Sequence, residues 1–406
     1  MNPWPVAWSE LRRSPWGAAA IVLIVALAVA LGIAVSAQER ALRQGSARAA
    51  DPFDILVGAP GSQSQLVLTG IYLQPAALPL MDGDSFAAVV KRNGIAWAAP
   101  LAFGDSLRGQ PVIGTTEAFV TLGGRRKPTE GRLFAKDNEA VVGADVTLAV
   151  GDRFTPTHGH SSSDPRPRPF EVAHQGHTIT VVGRLPRNGS PFDRAILVPI
   201  EGVWETHGLP TGHPEGSDQL GPPWSEPAGG IPLIVVKAAS VADAYRLRSQ
   251  LRSPVSMAFF PAEVLVELYA TMGDVRQVVS AMAVATQAMV YLAILIAVMA
   301  VTGSRRREVA VLRALGAPRA YVAAALWLGL ATLILAGTLL GLGLGFAAAA
   351  AASSILAVKL GFALPVTLGG AEIAAAALAA GVGLALALLP ALVLYRQPIG
   401  VALKDG

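Results

Sequence analysis

All six histidines of this 406-residue chain fall between His158 and His213. Four of them, His158, His160, His174 and His177, stand in the stretch HGHSSSDPRPRPFEVAHQGH. Neutral imidazole ligates Zn²⁺ and Cu²⁺, and H-x-H and H-x-x-H spacings can set two rings on one ion, with Asp164 adding a carboxylate. The same stretch is rich in Pro and Ser and carries nothing to orient the rings, so it reads first as a solvated loop and second as a Zn²⁺ or Cu²⁺ site. H-E-x-x-H is absent, which leaves hydrolytic zinc chemistry without a motif.

Two other chemistries have little to stand on. LVGAPGSQSQLVLTGIYL, Leu56 to Leu73, offers Ser62 and Ser64, but there is no Gly-x-Ser-x-Gly and no His or Asp arrangement to activate either hydroxyl. We expect an extended turn there, leading into a folded domain or lying at a membrane surface. A phosphate-cradling loop needs Gly-Lys followed by Ser or Thr; Gly-Lys does not occur. With no cysteine, disulfides, thiolate metal sites and cysteine nucleophiles are excluded.

The densest cationic stretch is SRRREVAVLRALGAPRAY, Ser304 to Tyr321. On a helical wheel Val309, Val311, Leu312, Leu315 and Gly316 share one arc, while Arg306 and Arg313 lie opposite. A basic amphipathic helix of this kind suits a membrane surface. Glu308, however, falls inside the apolar arc, where lipid penalises a carboxylate and a protein groove can supply a donor. Residue chemistry alone leaves both readings open. Gly316-Ala317-Pro318 ends the helix.

The elements around this segment are membrane spans. The chain is 52% hydrophobic and 15% charged, with a mean hydropathy of +0.49; that balance places it with membrane proteins. Its formal charge of +4 sits beside apolar runs instead of forming a nucleic-acid face. Four runs are long enough for a bilayer: residues 17–37, 280–301, 321–358 and 371–394. The third extends past the bilayer as helix, and the fourth carries Pro390 near its end. The first run exceeds a signal-peptide core, so an uncleaved anchor is expected despite the Val35-Ser36-Ala37 cleavage-like triplet.

Short-loop arginines set the orientation. Arg12 and Arg13, five arginines between Arg305 and Arg319, and Arg396 with Lys404 place residues 1–16, 304–318 and 395–406 in the cytoplasm. Arg40, Arg43 and Arg48 oppose this and are outnumbered. Residues 38–273 then lie outside as an α+β domain. Its β-like runs are 54–57, 139–142, 177–182, 195–198 and 231–236, its helical stretches are 241–251 and 261 onward, and loops are expected at 45–52 and 216–230. From Pro261 a stalk helix runs on into the second span. No internal repeat is visible. Gly337, Gly341 and Gly345 recur every four residues in the third span, a stripe for close helix approach within one subunit or between two.

Arg306 to Ala317 (RREVAVLRALGA) closely resembles the signature of FtsX-like permeases, the MacB and lipoprotein-releasing class of ABC transporter subunits. The layout of one span, a large outer domain and three further spans is similar, as is the closing Gln397 to Lys404 (QPIGVALK). Thr178 to Pro199 (TITVVGRLPRNGSPFDRAILVP) resembles the strand-turn-strand of the MacB-like periplasmic core domain. The resemblance implies an inner-membrane permease subunit; the missing Gly-Lys loop leaves it without a nucleotide site of its own, a departure from the family's multidrug exporter. It further implies a homodimer coupled to a cytoplasmic ABC ATPase that binds the ATP and Mg²⁺.

In that reading Ser304–Pro318 is the coupling helix. Val309, Leu312 and Leu315 are groove anchors, Glu308 and Arg313 are polar locks, and Gly316 is the terminator. ATP-driven movement passes through the stalk to the outer domain, which exports or extracts a substrate. Two other outcomes stay open: a scaffold activating a periplasmic cell-wall hydrolase, and a membrane-anchored metal receptor acting through the histidine loop.

Overall fold

The structure, a computed structural model, describes residues 2–158, 172–173, 177–304 and 316–396. Two helices open the chain: α1 (Trp4–Arg13) and α2 (Pro15–Ala50). Next come β1 (Ile55–Gly58), α3 (Gln63–Gly70), α4 (Asp84–Val90), β2 (Ile95–Leu107), β3 (Gln110–Thr115) and α5 (Glu117–Val120). Five short or medium strands follow: β4 (Glu130–Gly131), β5 (Glu139–Val142), β6 (Arg153–Phe154), β7 (Thr157–His158) and β8 (Val172–Ala173). The domain is completed by β9 (Ile179–Arg184), β10 (Ile196–Pro199), α6 (Ile200–Thr206), β11 (Leu233–Ala238), α7 (Val241–Gln250) and β12 (Met257–Phe259). Four long or apolar helices close the chain: α8 (Pro261–Ser304), α9 (Arg319–Leu360), α10 (Gly370–Leu386) and α11 (Leu388–Arg396).

The chain divides into two compact units. The helical one comprises residues 1–43, 272–356 and 364–406; the other comprises 44–271 and 357–363. In the helical unit Val25, Val29 and Ile33 of α2 pack with Tyr291 of α8, Leu330 and Ile334 of α9 and Ala376 of α10. Buried aromatic tips find carbonyls, as they must in an apolar interior. The Tyr291 hydroxyl donates to the Ala379 carbonyl at 2.6 Å, and Trp327 Nε1 to that of Leu384 at 3.1 Å. Among the described residues three helices are long and apolar enough to cross a membrane: α2, α9 and residues 370–392. The other expected run, 280–301, lies within α8, and part of its side chains fall outside the described residues.

The second unit is an α+β domain around one sheet. Its strand order is β12-β1-β11-β2-β3-β10-β5-β9-β4. Strand β2 is thirteen residues long and serves both halves. Its first part pairs antiparallel with β11; from Ala102 on it pairs antiparallel with β3, with an irregularity between Ala102 and Asp105. The pairing is mixed, since β10–β3 and β5–β9 are parallel. Each half has its own core. One gathers Ile55, Val57, Phe86, Ile234 and Trp204; the other gathers Val112, Val142, Val181, Ile196 and Val198.

Several sequence expectations are corrected here. Residues 45–50 are the last turns of α2 and not a loop: the surrounding Ala, Gln, Arg, Glu and Leu are strong helix formers and outweigh the single Gly45. Leu56–Leu73 is not an extended turn but strand β1 followed by α3, whose N-terminus Ser62 caps by accepting the Gln65 amide at 3.2 Å. The expected run 371–394 keeps a helix of spanning length and is interrupted locally at Ala387. Pro390 has no N–H to offer the Leu386 carbonyl, four residues back, and its ring crowds that group. The strand-turn-strand expected in Thr178–Pro199 forms β9 and β10, and β5 is paired between them.

Candidate functional site

The features that tie helices together are glycines and a few polar groups. Gly337, Gly341 and Gly345 sit buried along α9 and face α2 of the same chain. A Cβ on Gly341 would stand 2.6 Å from the Ala26 carbonyl oxygen, and one on Gly345 would stand 2.7 Å from that of Ala30. At Gly337 the Val25 Cβ would be 2.7 Å away. Small residues at this spacing let the two backbones approach, which in lipid replaces the missing hydrophobic drive. The stripe is occupied by intrachain packing.

At the far end of α2 a charged clamp joins it to α10. Glu372 is 1% exposed. Ser36 Oγ donates to its Oε1 at 2.7 Å, Arg40 pairs with its Oε2, and the Gly369 amide donates to Oε2 at 3.0 Å. Arg40 Nη2 also donates to the Thr367 carbonyl at 2.8 Å. A Cβ at Gly369 would fall on the Arg40 guanidinium, so the glycine is what admits the arginine. This explains why Arg40 argues against the orientation set by the other arginines: it is neutralised locally. Arg43 is likewise paired, with Glu39 at 2.9 Å. The signal for the clamp was present in the sequence as one carboxylate inside an otherwise apolar run, a group that needs a partner.

In the α+β unit, the end of α2 and the start of α8 are joined by a hydrogen bond between Ser46 Oγ and the Tyr269 hydroxyl. The Tyr72 hydroxyl donates to the Ser46 carbonyl at 2.9 Å. Burial, then the neighbouring Tyr269, raise the Tyr72 phenol well above its usual range, with the Ser46 side chain opposing; Tyr72 is a neutral donor here at every physiological pH. The Tyr72 ring lies 5.5 Å from that of Phe362. Residues 361–363 dock beside the β9–β10 turn. The Ala363 amide donates to the Gly189 carbonyl at 3.0 Å, and Gly361, at φ 77°, lies against the Arg194 guanidinium. That turn is built locally: Asp193 accepts the amides of Asn188 and Gly189 at 3.0 and 2.7 Å, and Asn188 Oδ1 accepts that of Ser190 at 2.9 Å.

The same unit holds a buried carboxyl. Glu201 Oε1 accepts from Trp224 Nε1 at 2.8 Å and from the Gly221 amide at 2.9 Å. His213 Nε2 is 3.9 Å away. Burial pushes the Glu201 carboxyl above the ordinary range, its donors and His213 opposing. Because the folded-state value is raised, the associated stability is present in full below the unfolded value, roughly 4.3, and is lost as pH rises through the folded one. The expected outcome is that Glu201→Gln, a neutral mimic retaining the acceptor, has a higher unfolding temperature than wild type at pH 8. The gap should close by about pH 4. A gap independent of pH across a thermal-unfolding series would refute this.

Of the residues singled out by sequence, Glu308, Val309, Leu312, Arg313 and Leu315 lie outside the described residues. Gly316 is described: it is left-handed, at φ 95°, and a Cβ added there would meet nothing within 4 Å. Helix α9 starts three residues later. Glycine takes that conformation without strain. His160 and His174 are also outside the described residues. His158 is in β7, paired with Asp105 of β2 and Val172 of β8, and His177 precedes β9. Among the described residues no group of three or more His, Asp or Glu side chains is placed to hold a metal ion. Ser62 serves as a helix cap.

A large folded domain inserted among apolar helices defines a class: a membrane protein with a bulky domain outside the bilayer. The MacB-like periplasmic core domain matches residues 17–253, more than half of the chain, and the FtsX-like permease C-terminal domain matches residues 280–399. The chain belongs to this family, the FtsX/MacB-like ABC transporter permeases. No curated protein matches it. Among solved structures it is similar to the periplasmic region of MacB from Actinobacillus actinomycetemcomitans. Identity there is 11% and TM-score 0.33, covering 54% of this chain and 95% of that one. It is also similar to the extracellular domain of the noncanonic ABC-type transporter YknZ from Gram-positive bacteria, at 11% identity and TM-score 0.29, covering 50% and 98%.

Proposed function

We propose that this chain is the permease subunit of a mechanotransmission-type ABC system. It acts as a homodimer in the bacterial inner membrane, with four spans per subunit and no nucleotide site of its own. A cytoplasmic ABC ATPase closes on ATP and moves Ser304–Pro318. Glu308 and Arg313 lock that helix into the partner's groove, and Val309, Leu312 and Leu315 anchor it. The movement reaches the outer domain, which exports a substrate or extracts it from the outer leaflet.

The observation that carries this reading is the continuity of two helices. α2, of 36 residues, and α8, of 44, each run unbroken well past the apolar stretch that they contain. A bilayer needs only about 20 residues of helix. The surplus supplies rigid rods, and the Ser46–Tyr269 bond braces one against the other. A rod transmits displacement that a flexible linker would dissipate.

The test is detergent co-purification of the tagged protein from its native membranes, wild type beside Leu312→Asp. An ATP-binding subunit is expected with wild type and is expected to be lost with the variant, whose membrane insertion is unchanged. If no such subunit accompanies wild type, or if the variant retains it in full, the coupling assignment fails.

A further inference from the structure

The helix preceding the first span has a surface that the transport reading does not use. α1 has ten residues, too few to hold a helix in water unaided, so it must rest on something. One side rests on its own unit: Ala7 is 1% exposed, and the Asn2 carbonyl accepts the hydroxyl of Tyr321, on α9, at 3.3 Å. Along an adjacent stripe Trp4, Trp8 and Arg12 follow at four-residue spacing. The two indoles stack with centroids 6.5 Å apart, and the Arg12 guanidinium lies 5.3 Å from the Trp8 ring centre. Both indoles are 45% exposed, and Trp16, at the start of α2, is 87% exposed.

The placement of tryptophan along the chain is uneven. Three of the chain's seven lie within thirteen residues, all of them exposed, while Trp97 and Trp204 are core residues. Only Ser14 separates α1 from α2. The far end of α1 is held too, since Asn2 meets Tyr321 in the first turn of α9, so α1 lies at the level where the apolar runs of α2 and α9 begin. That level is the boundary of the hydrocarbon, where an indole can bury its ring and hydrogen-bond its N–H. A guanidinium beside it meets phosphate.

We propose that α1 lies in the headgroup layer of the leaflet where α2 begins, with Trp4, Trp8 and Trp16 at the interface and Arg12 on a lipid phosphate. The occupant of this face is the phospholipid headgroup layer itself. The inference rests on the membrane reading of α2, and the experiment separates the two. The chain has no cysteine, so single nitroxide labels report unambiguously. Full-length protein in phosphatidylcholine–phosphatidylglycerol nanodiscs is labelled at Trp8→Cys, Ser9→Cys or Leu23→Cys. Accessibility to oxygen and to a water-soluble nickel chelate is then compared.

Leu23, half-exposed on α2, should favour oxygen strongly. Ser9, on the polar side of α1, should favour nickel, and Trp8 should lie between them. Because the Trp8 label removes an anchor, a second reading uses unlabelled protein. Bromination near the headgroup end of the acyl chains should quench wild-type tryptophan fluorescence more than that of Trp4→Phe/Trp8→Phe. A Trp8 label as nickel-accessible as the Ser9 label, with unchanged quenching in the double variant, overturns the proposal and points to a protein partner on this face. A Leu23 label that favours nickel overturns the spanning reading of α2 instead.

Discussion

Replacing Gly341 with leucine will separate α2 from α9 and destabilise the helical unit by about 3 kcal/mol, the upper part of the range for overpacked sites. The glycine leaves no room. Its Cβ would lie 2.6 Å from the Ala26 carbonyl oxygen and 2.8 Å from the Val29 Cβ, so backbone has to move before a side chain can be placed. Helix association in lipid depends on this closeness, because dispersion falls off steeply with separation. Gly341→Ala is expected to have the same sign and a smaller size. The control lies two residues on: Gly343, on the same helix, has nothing within 4 Å of its Cβ position, and Gly343→Leu should be nearly neutral. Thermal unfolding in a mild detergent, followed by tryptophan fluorescence, reads all three. Equal losses for Gly341→Leu and Gly343→Leu would mean that the α2–α9 contact contributes nothing particular.

Glu372→Ala will cost about as much, on the order of 3 kcal/mol, the low end for breaking a buried pair by removing one partner. The low end applies because the Arg40 side chain is 24% exposed and can recover some solvation. The loss comes less from the missing attraction than from what is stranded: a guanidinium that keeps, among the described residues, the Thr367 carbonyl, and a Ser36 hydroxyl without its acceptor. The double variant Arg40→Met/Glu372→Leu should therefore regain most of the stability. A double-mutant cycle on Arg40 and Glu372 measures the coupling directly. Strict additivity of the two single losses would show that the clamp is not a unit.

Much of the architecture was legible because a bilayer imposes a coarse demand on sequence. An apolar run of about twenty residues needs no tertiary knowledge to recognise; α2 and α9 each contain the expected run. The strands at 139–142 and 196–199 were legible for a similar reason, being short β-branched runs bounded by turn residues. The longest strand, Ile95–Leu107, was not. Its sequence IAWAAPLAFGDSL is rich in alanine, holds Pro100 and Gly104, and shows no alternation. It is buried on both faces and pairs with different partners along its length, so neighbours and not propensity make it a strand.

The candidate sites divide the same way. The glycine stripe was visible as a four-residue spacing, but the spacing alone fits one subunit or two, and only α2 lying in it decides between them. Glu372 and Arg40 stand at opposite ends of the chain, and nothing local connects them. One merely opposes the orientation set by the other arginines, and the other is a lone carboxylate in an apolar run. Ser46, Tyr72 and Tyr269 carry no pattern at all.

By itself, then, the sequence determined that the chain lives in a membrane, that a folded domain interrupts its spans, and that a short basic segment with the FtsX-like signature follows α8. Periodicity and composition act over neighbouring residues, and those are the properties they govern. Which helix Gly337, Gly341 and Gly345 touch, which charge Arg40 answers, and which hydroxyl braces α2 against α8 were decided only by the tertiary structure. Such contacts depend on segments distant along the chain meeting within a few ångströms, and their energies exist only once the chain has folded.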